Sequence, residues 1–150
     1  MGFFDEIADT FKVVKDIVDG GIQSYKAGEK LDELIEKISA EYADDLTDDE
    51  KTLLKRYKKS ARAYEKNSAD DENNTLLQKM EDDRIAYLEA VAKNSALPED
   101  FRNKIKAALT DFKNAENLAL DSTAETLEKY AETDEQRAEI RKTINDSKRK

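Results

Sequence analysis

After Gly28 the chain carries no further glycine and only one proline, Pro98. Glycine and proline are the residues that most often end or bend regular structure. Alanine, leucine, glutamate and lysine, all good helix formers, are abundant in the same stretch. A chain of this kind has few ways to fold other than as long helices with short connections. All four glycines, Gly2, Gly20, Gly21 and Gly28, fall in the first 28 residues, as do Phe3, Phe4 and Phe11, three of the five phenylalanines. Anything unusual in the architecture is therefore expected at that end.

Periodicity divides the chain into helices. Phe4, Ile7, Phe11, Val14 and Val18 recur at helical steps and predict an amphipathic helix over roughly 4–19, stopped by Gly20-Gly21. Ile22, Tyr25, Leu31, Leu34, Ile35, Ile38 and Tyr42 predict a second helix near 22–43, with Gly28 as a point of interruption. Thr47-Asp48-Asp49-Glu50 has the form of a capping box, and the third helix is expected over about 48–66 with Leu53, Leu54, Tyr57, Ala61 and Tyr64 on its apolar side. A fourth helix is expected over about 70–94. Pro98, Glu99 and Asp100 fit the first turn of a fifth, the longest, running to about 131 with an interruption at Asp121-Ser122. Thr133 to Gln136 repeats the capping-box form and opens a short last helix carrying Ala138, Ile140 and Ile144. No β alternation persists. The expected fold is all-α: a single-domain helical bundle of about six helices joined by short loops, spanning 1–150, with 1–21 a detachable N-terminal amphipathic helix.

Composition excludes much chemistry. The 150 residues include no histidine and no cysteine. Ser-His-Asp and Cys-His catalysis, disulfides, thiolate metal sites and Glu-x-x-His di-iron sites all require residues the chain lacks. The four clustered glycines form neither a P-loop nor a dinucleotide fingerprint. No enzymatic activity, cofactor or metal is expected. A calcium loop over Asp70 to Glu81 would need a glycine where Thr75 stands. No apolar run approaches the ~18 residues of a membrane span, and no secretory leader is evident, so a cytoplasmic location is expected.

The net charge of −9 is concentrated in residues 1–50, which hold 15 acidic and 5 basic side chains. Such a chain repels phosphate backbones, so no direct nucleic-acid partner is expected. Two surfaces are candidates for binding another protein, or a second copy in a homo-oligomer. One is the apolar stripe of the N-terminal helix, Phe3, Phe4, Ile7 and Phe11. The other is the acidic group Asp44, Asp45, Asp48 and Asp49. The basic run Lys51, Lys55, Lys58, Arg62 and Lys66 also shares one helix face, read as a solvated face balanced by the acidic residues before it.

The segment Phe3 to Val14 resembles the first helix of the phage-shock and ESCRT-III-like membrane-remodelling proteins, which implies a membrane-surface use. The body departs from that family, because its helices are shorter and its breaks more frequent than a long coiled-coil hairpin requires. Asp5, Glu6, Asp9, Asp16 and Asp19 outnumber Lys12 and Lys15, and anionic lipid would repel that balance. The sequence thus points to a non-catalytic helical protein-binding module acting as regulator, inhibitor or adaptor. The alternatives are peripheral membrane association through the N-terminal helix and an acidic inhibitor that imitates nucleic acid.

Overall fold

A computed structural model describes residues 22–70 and 75–149 of the chain. The fold is all-α, a helical bundle, with no strand among the described residues. Its helices are α1 (Ile22–Glu41), α2 (Asp48–Asn67), α3 (Thr75–Ala92), α4 (Glu99–Tyr130) and α5 (Asp134–Ser147), with single 3-10 turns at Ala43–Asp45 and Ser68–Asp70. The helix expected over roughly 4–19 lies outside the described residues.

Two expected interruptions are not observed. α1 runs unbroken through Gly28, which is buried. A mid-helix glycine costs roughly 1 kcal/mol, whereas each fully buried aliphatic side chain returns about 1.5–3 kcal/mol. Leu31, Ile35 and Ile38, on the next turns of the same helix, are all buried. α4 likewise continues through Asp121-Ser122. The threonine hydroxyls beside that point bond back into the helix. Thr123 Oγ1 donates to the Ala119 carbonyl at 3.0 Å and Thr126 Oγ1 to the Ser122 carbonyl at 3.1 Å.

The chain forms two compact units. Lys30–Thr110 is one; the other takes in the described residues from Asp111 onward and those before Lys30. The first unit is built on Leu31, Ile35 and Ile38 of α1, Ile85, Leu88 and Val91 of α3, and Phe101 and Ile105 of α4, with Leu46 and Leu97 buried in the connections. Tyr42 meets Phe101 with ring centroids 4.9 Å apart, and the Lys37 ammonium lies 5.3 Å from the centroid of the same ring. α2 packs along α3. Its expected apolar stripe of Leu53, Leu54, Tyr57, Ala61 and Tyr64 is only half-buried, and its two buried residues are the polar Glu50 and Ser60.

In the second unit α4 and α5 form an antiparallel hairpin. Leu120, Ala124, Leu127 and Ala131 pack with Ile140 and Ile144, while Ala138 is exposed. Polar pairs run the length of the seam in antiparallel order. Arg141 meets Glu128 at 2.8 Å, Lys148 meets Asp121 at 2.6 Å, and Arg149 pairs with Glu116. Asn117 bonds both backbone groups of Arg149, each at 2.9 Å. Lys148 and Arg149 are thus folded back onto α4. Thr133 caps α5 in a full capping box with Gln136.

The apolar part of this seam is small, so Ile140→Ala should lower the unfolding free energy by about 2–5 kcal/mol in urea titration.

Candidate functional site

Of the two surfaces the sequence nominates, Phe3, Phe4, Ile7 and Phe11 lie outside the described residues. The structure brings the other four residues together. The chain leaves α1 at Glu41, makes the 3-10 turn Ala43–Asp45, buries Leu46, and enters α2 through Thr47. Asp44, Asp45, Asp48 and Asp49 all face solvent on this corner. None of their carboxylates is ion-paired with a described residue. Asp48 and Asp49 occupy the first turn of α2, where the helix dipole favours negative charge.

The corner is held from beneath by Glu50. Thr47 Oγ1 accepts the Glu50 N–H at 3.2 Å, while Glu50 Oε2 accepts the Thr47 hydroxyl at 2.6 Å and the Thr47 N–H at 3.3 Å. A capping box alone leaves the other carboxylate oxygen to water. Here Asn94, from the connection between α3 and α4, donates to Glu50 Oε1 at 2.8 Å and to the Asp45 carbonyl at 3.0 Å. Asn94 Oδ1 in turn accepts the Ala96 N–H at 2.9 Å. One amide side chain therefore ties the acidic turn, the start of α2 and the α3–α4 connection. The backbone of the turn is held in this way, which keeps the four aspartates on one corner at less ordering cost on binding than a mobile loop.

Beside this network Tyr87 is fully buried, and its hydroxyl has no hydrogen bond to a described residue. Loss of water pushes the hydroxyl up to about 12, with the Glu50 charge adding to the rise.

A second polar layer joins α1, α2 and α3. Ser60 Oγ donates to Asp83, with Arg56 and Lys79 each 3.9 Å from that carboxylate. Tyr57 donates to Asp32 Oδ1 at 2.9 Å, and Arg84 Nη1 reaches the same oxygen at 3.4 Å. Burial pushes the Tyr57 hydroxyl up to about 12; the charge and hydrogen bond of Asp32 add to this, and Arg84 opposes it. A phenol held protonated is a hydrogen-bond donor, not a nucleophile. The layer sets how three helices meet. Neither Asn94 nor the Ser60–Asp83 pair carries a local sequence signal, since their partners are 44 and 23 residues away.

Among the described residues no group of three carboxylates could hold a metal ion. The stretch considered as a calcium loop is already helical from Thr75. No described helix is long and apolar enough to cross a membrane. The chain matches no protein-family model, and no curated protein and no solved structure is significantly similar to it.

Two variants probe this region. Asn94→Ala leaves a buried carboxylate oxygen without its donor and should cost about 1–3 kcal/mol in chemical denaturation. Tyr87→Phe removes a buried hydroxyl with no described partner and should leave stability unchanged or raise it. Both tyrosines titrate higher folded than unfolded, so their contribution is complete below pH 10 and is lost as pH rises from 10 through about 12. Tyr87→Phe should flatten that alkaline decline in a pH series of urea midpoints.

Proposed function

We propose that the chain is a non-catalytic helical protein-binding module, a regulator, inhibitor or adaptor of cytoplasmic location, whose acidic corner receives a basic surface. The observation that carries this reading is the fixed exposure of Asp44, Asp45, Asp48 and Asp49 above the Glu50–Asn94 network. A carboxylate cluster with no cation partner among the described residues gives charge complementarity to a basic partner and speeds encounter. The lack of histidine and cysteine supports a role without covalent or acid–base chemistry.

A second reading uses the same corner. Four exposed carboxylates on one corner have the charge to stand in for a short run of phosphates in the basic groove of a nucleic-acid-binding protein. Such an inhibitor would compete with DNA or RNA, and the competition would fade in salt.

Affinity capture from cells that make the protein, with the unaltered chain and the Asp44→Asn, Asp45→Asn, Asp48→Asn, Asp49→Asn variant side by side, separates this reading from its failure. A partner should be retained by the unaltered chain, lost with the variant, and released as salt rises. Equal recovery by both proteins would remove the acidic corner as the binding surface.

A further inference from the structure

The outer face of α2 is strongly basic. Lys51, Lys55, Lys58, Arg62 and Lys66 follow one another at steps of three and four residues, and all five are exposed. They lie along one side of the helix over about 22 Å. The opposite side carries Glu50, Leu53, Tyr57, Ser60 and Tyr64, which are buried or half-buried. Arg56, off the stripe, reaches Asp83. None of the five stripe cations is ion-paired with a described residue. Lys51 with Lys55, Lys58 with Arg62, and Arg62 with Lys66 are like-charge neighbours one turn apart, which destabilise a helix unless an anion lies across them.

The anion of fitting size is on the same chain. Asp48 and Asp49 open the helix that carries the basic stripe, and Asp44 and Asp45 lie in the turn just before it, so charge changes sign from this corner to the stripe. If two copies lie antiparallel about a two-fold axis, the acidic start of each helix meets the basic end of the other, and both contacts form at once. We propose that the chain self-associates as a two-fold dimer through α2, with the acidic corner of each copy seated on Lys58, Arg62 and Lys66 of the other. The inference rests on the acidic corner being a binding surface and names a second copy as its occupant. A nucleic acid fits the stripe less well, because its phosphates would also meet the acidic excess of residues 1–50, which ends at Asp48, Asp49 and Glu50 beside the stripe and offers a phosphate no cation. Two copies also repel at long range, so the contact is short-ranged and sensitive to salt.

The test is the solution mass of the full chain by sedimentation equilibrium across a concentration series. In low salt the mass should climb from 17.1 kDa toward twice that value. In ~1 M salt, where the Debye length is about 3 Å, it should return to 17.1 kDa. The Lys58→Glu, Arg62→Glu, Lys66→Glu variant and the Asp44→Lys, Asp45→Lys, Asp48→Lys variant should each remain monomeric, and their equimolar mixture should recover the doubled mass. Glutamine at the same three basic positions provides a milder variant that should also weaken the dimer. A chain monomeric at every concentration in low salt, or a dimer indifferent to the stripe variants, would overturn the proposal. So would a monomeric chain whose stripe binds a duplex DNA fragment. If the chain is monomeric while the aspartate variant still loses its captured partner, the dimer fails and the protein-binding reading stands.

Discussion

A carboxylate taken out of water must find donors, and Glu50 finds them from two directions. The Thr47 hydroxyl and N–H reach one oxygen from the preceding turn, and Asn94 reaches the other from the connection after α3. The first interaction is local and starts a helix. The second is long-range and decides where that helix starts in space. Because Asn94 also holds the Asp45 carbonyl, the same side chain orients the exposed turn. The placement of the acidic surface depends on this small polar network, whose components are satisfied or lost together.

The polar groups buried around α2 and α3 follow the same logic. α2 buries no aliphatic side chain completely, so apolar area alone specifies its position weakly. Ser60 with Asp83, and Tyr57 with Asp32 and Arg84, supply the direction that the apolar contacts lack. Hydrogen bonds to buried groups are costly when unmade, so a shifted register is penalised even where it would bury similar area. The α4–α5 seam adds an ordered series of charge pairs to a narrow strip of alanine, leucine and isoleucine. One consequence is that Lys148 and Arg149 are paired with Asp121 and Glu116.

The two faces of α2 divide its roles. Its inner side is occupied by packing and by the polar layer. Its outer side carries separated charge, acidic at the start and basic beyond, with no described partner for either. Separated charge on one exposed element is a specificity device more than a stability device, because exposed ion pairs contribute little to folding. This separation of sign is the physical basis of the proposed binding surface and of the proposed contact with a second copy.

The sequence by itself determined the helical class, most helix limits and both capping boxes, because these depend on neighbours within four residues. Thr47-Asp48-Asp49-Glu50 and Thr133 to Gln136 cap α2 and α5 as their side chains dictate. It also determined the exposure of Asp44, Asp45, Asp48 and Asp49, since turn and first-turn carboxylates have every reason to stay in water. Tertiary structure alone decided that α1 passes through Gly28 and α4 through Ser122, where burial of Leu31, Ile35 and Ile38 in the one and of Leu120, Ala124 and Leu127 in the other outweighs weak local preferences for a break. It alone decided that Glu50 is shared between a cap and Asn94, that Ser60 meets Asp83, and that Tyr87 is buried without a described hydrogen-bond partner. Those outcomes join residues far apart in the chain, and no local pattern of hydropathy or charge encodes which distant donor will reach a given acceptor.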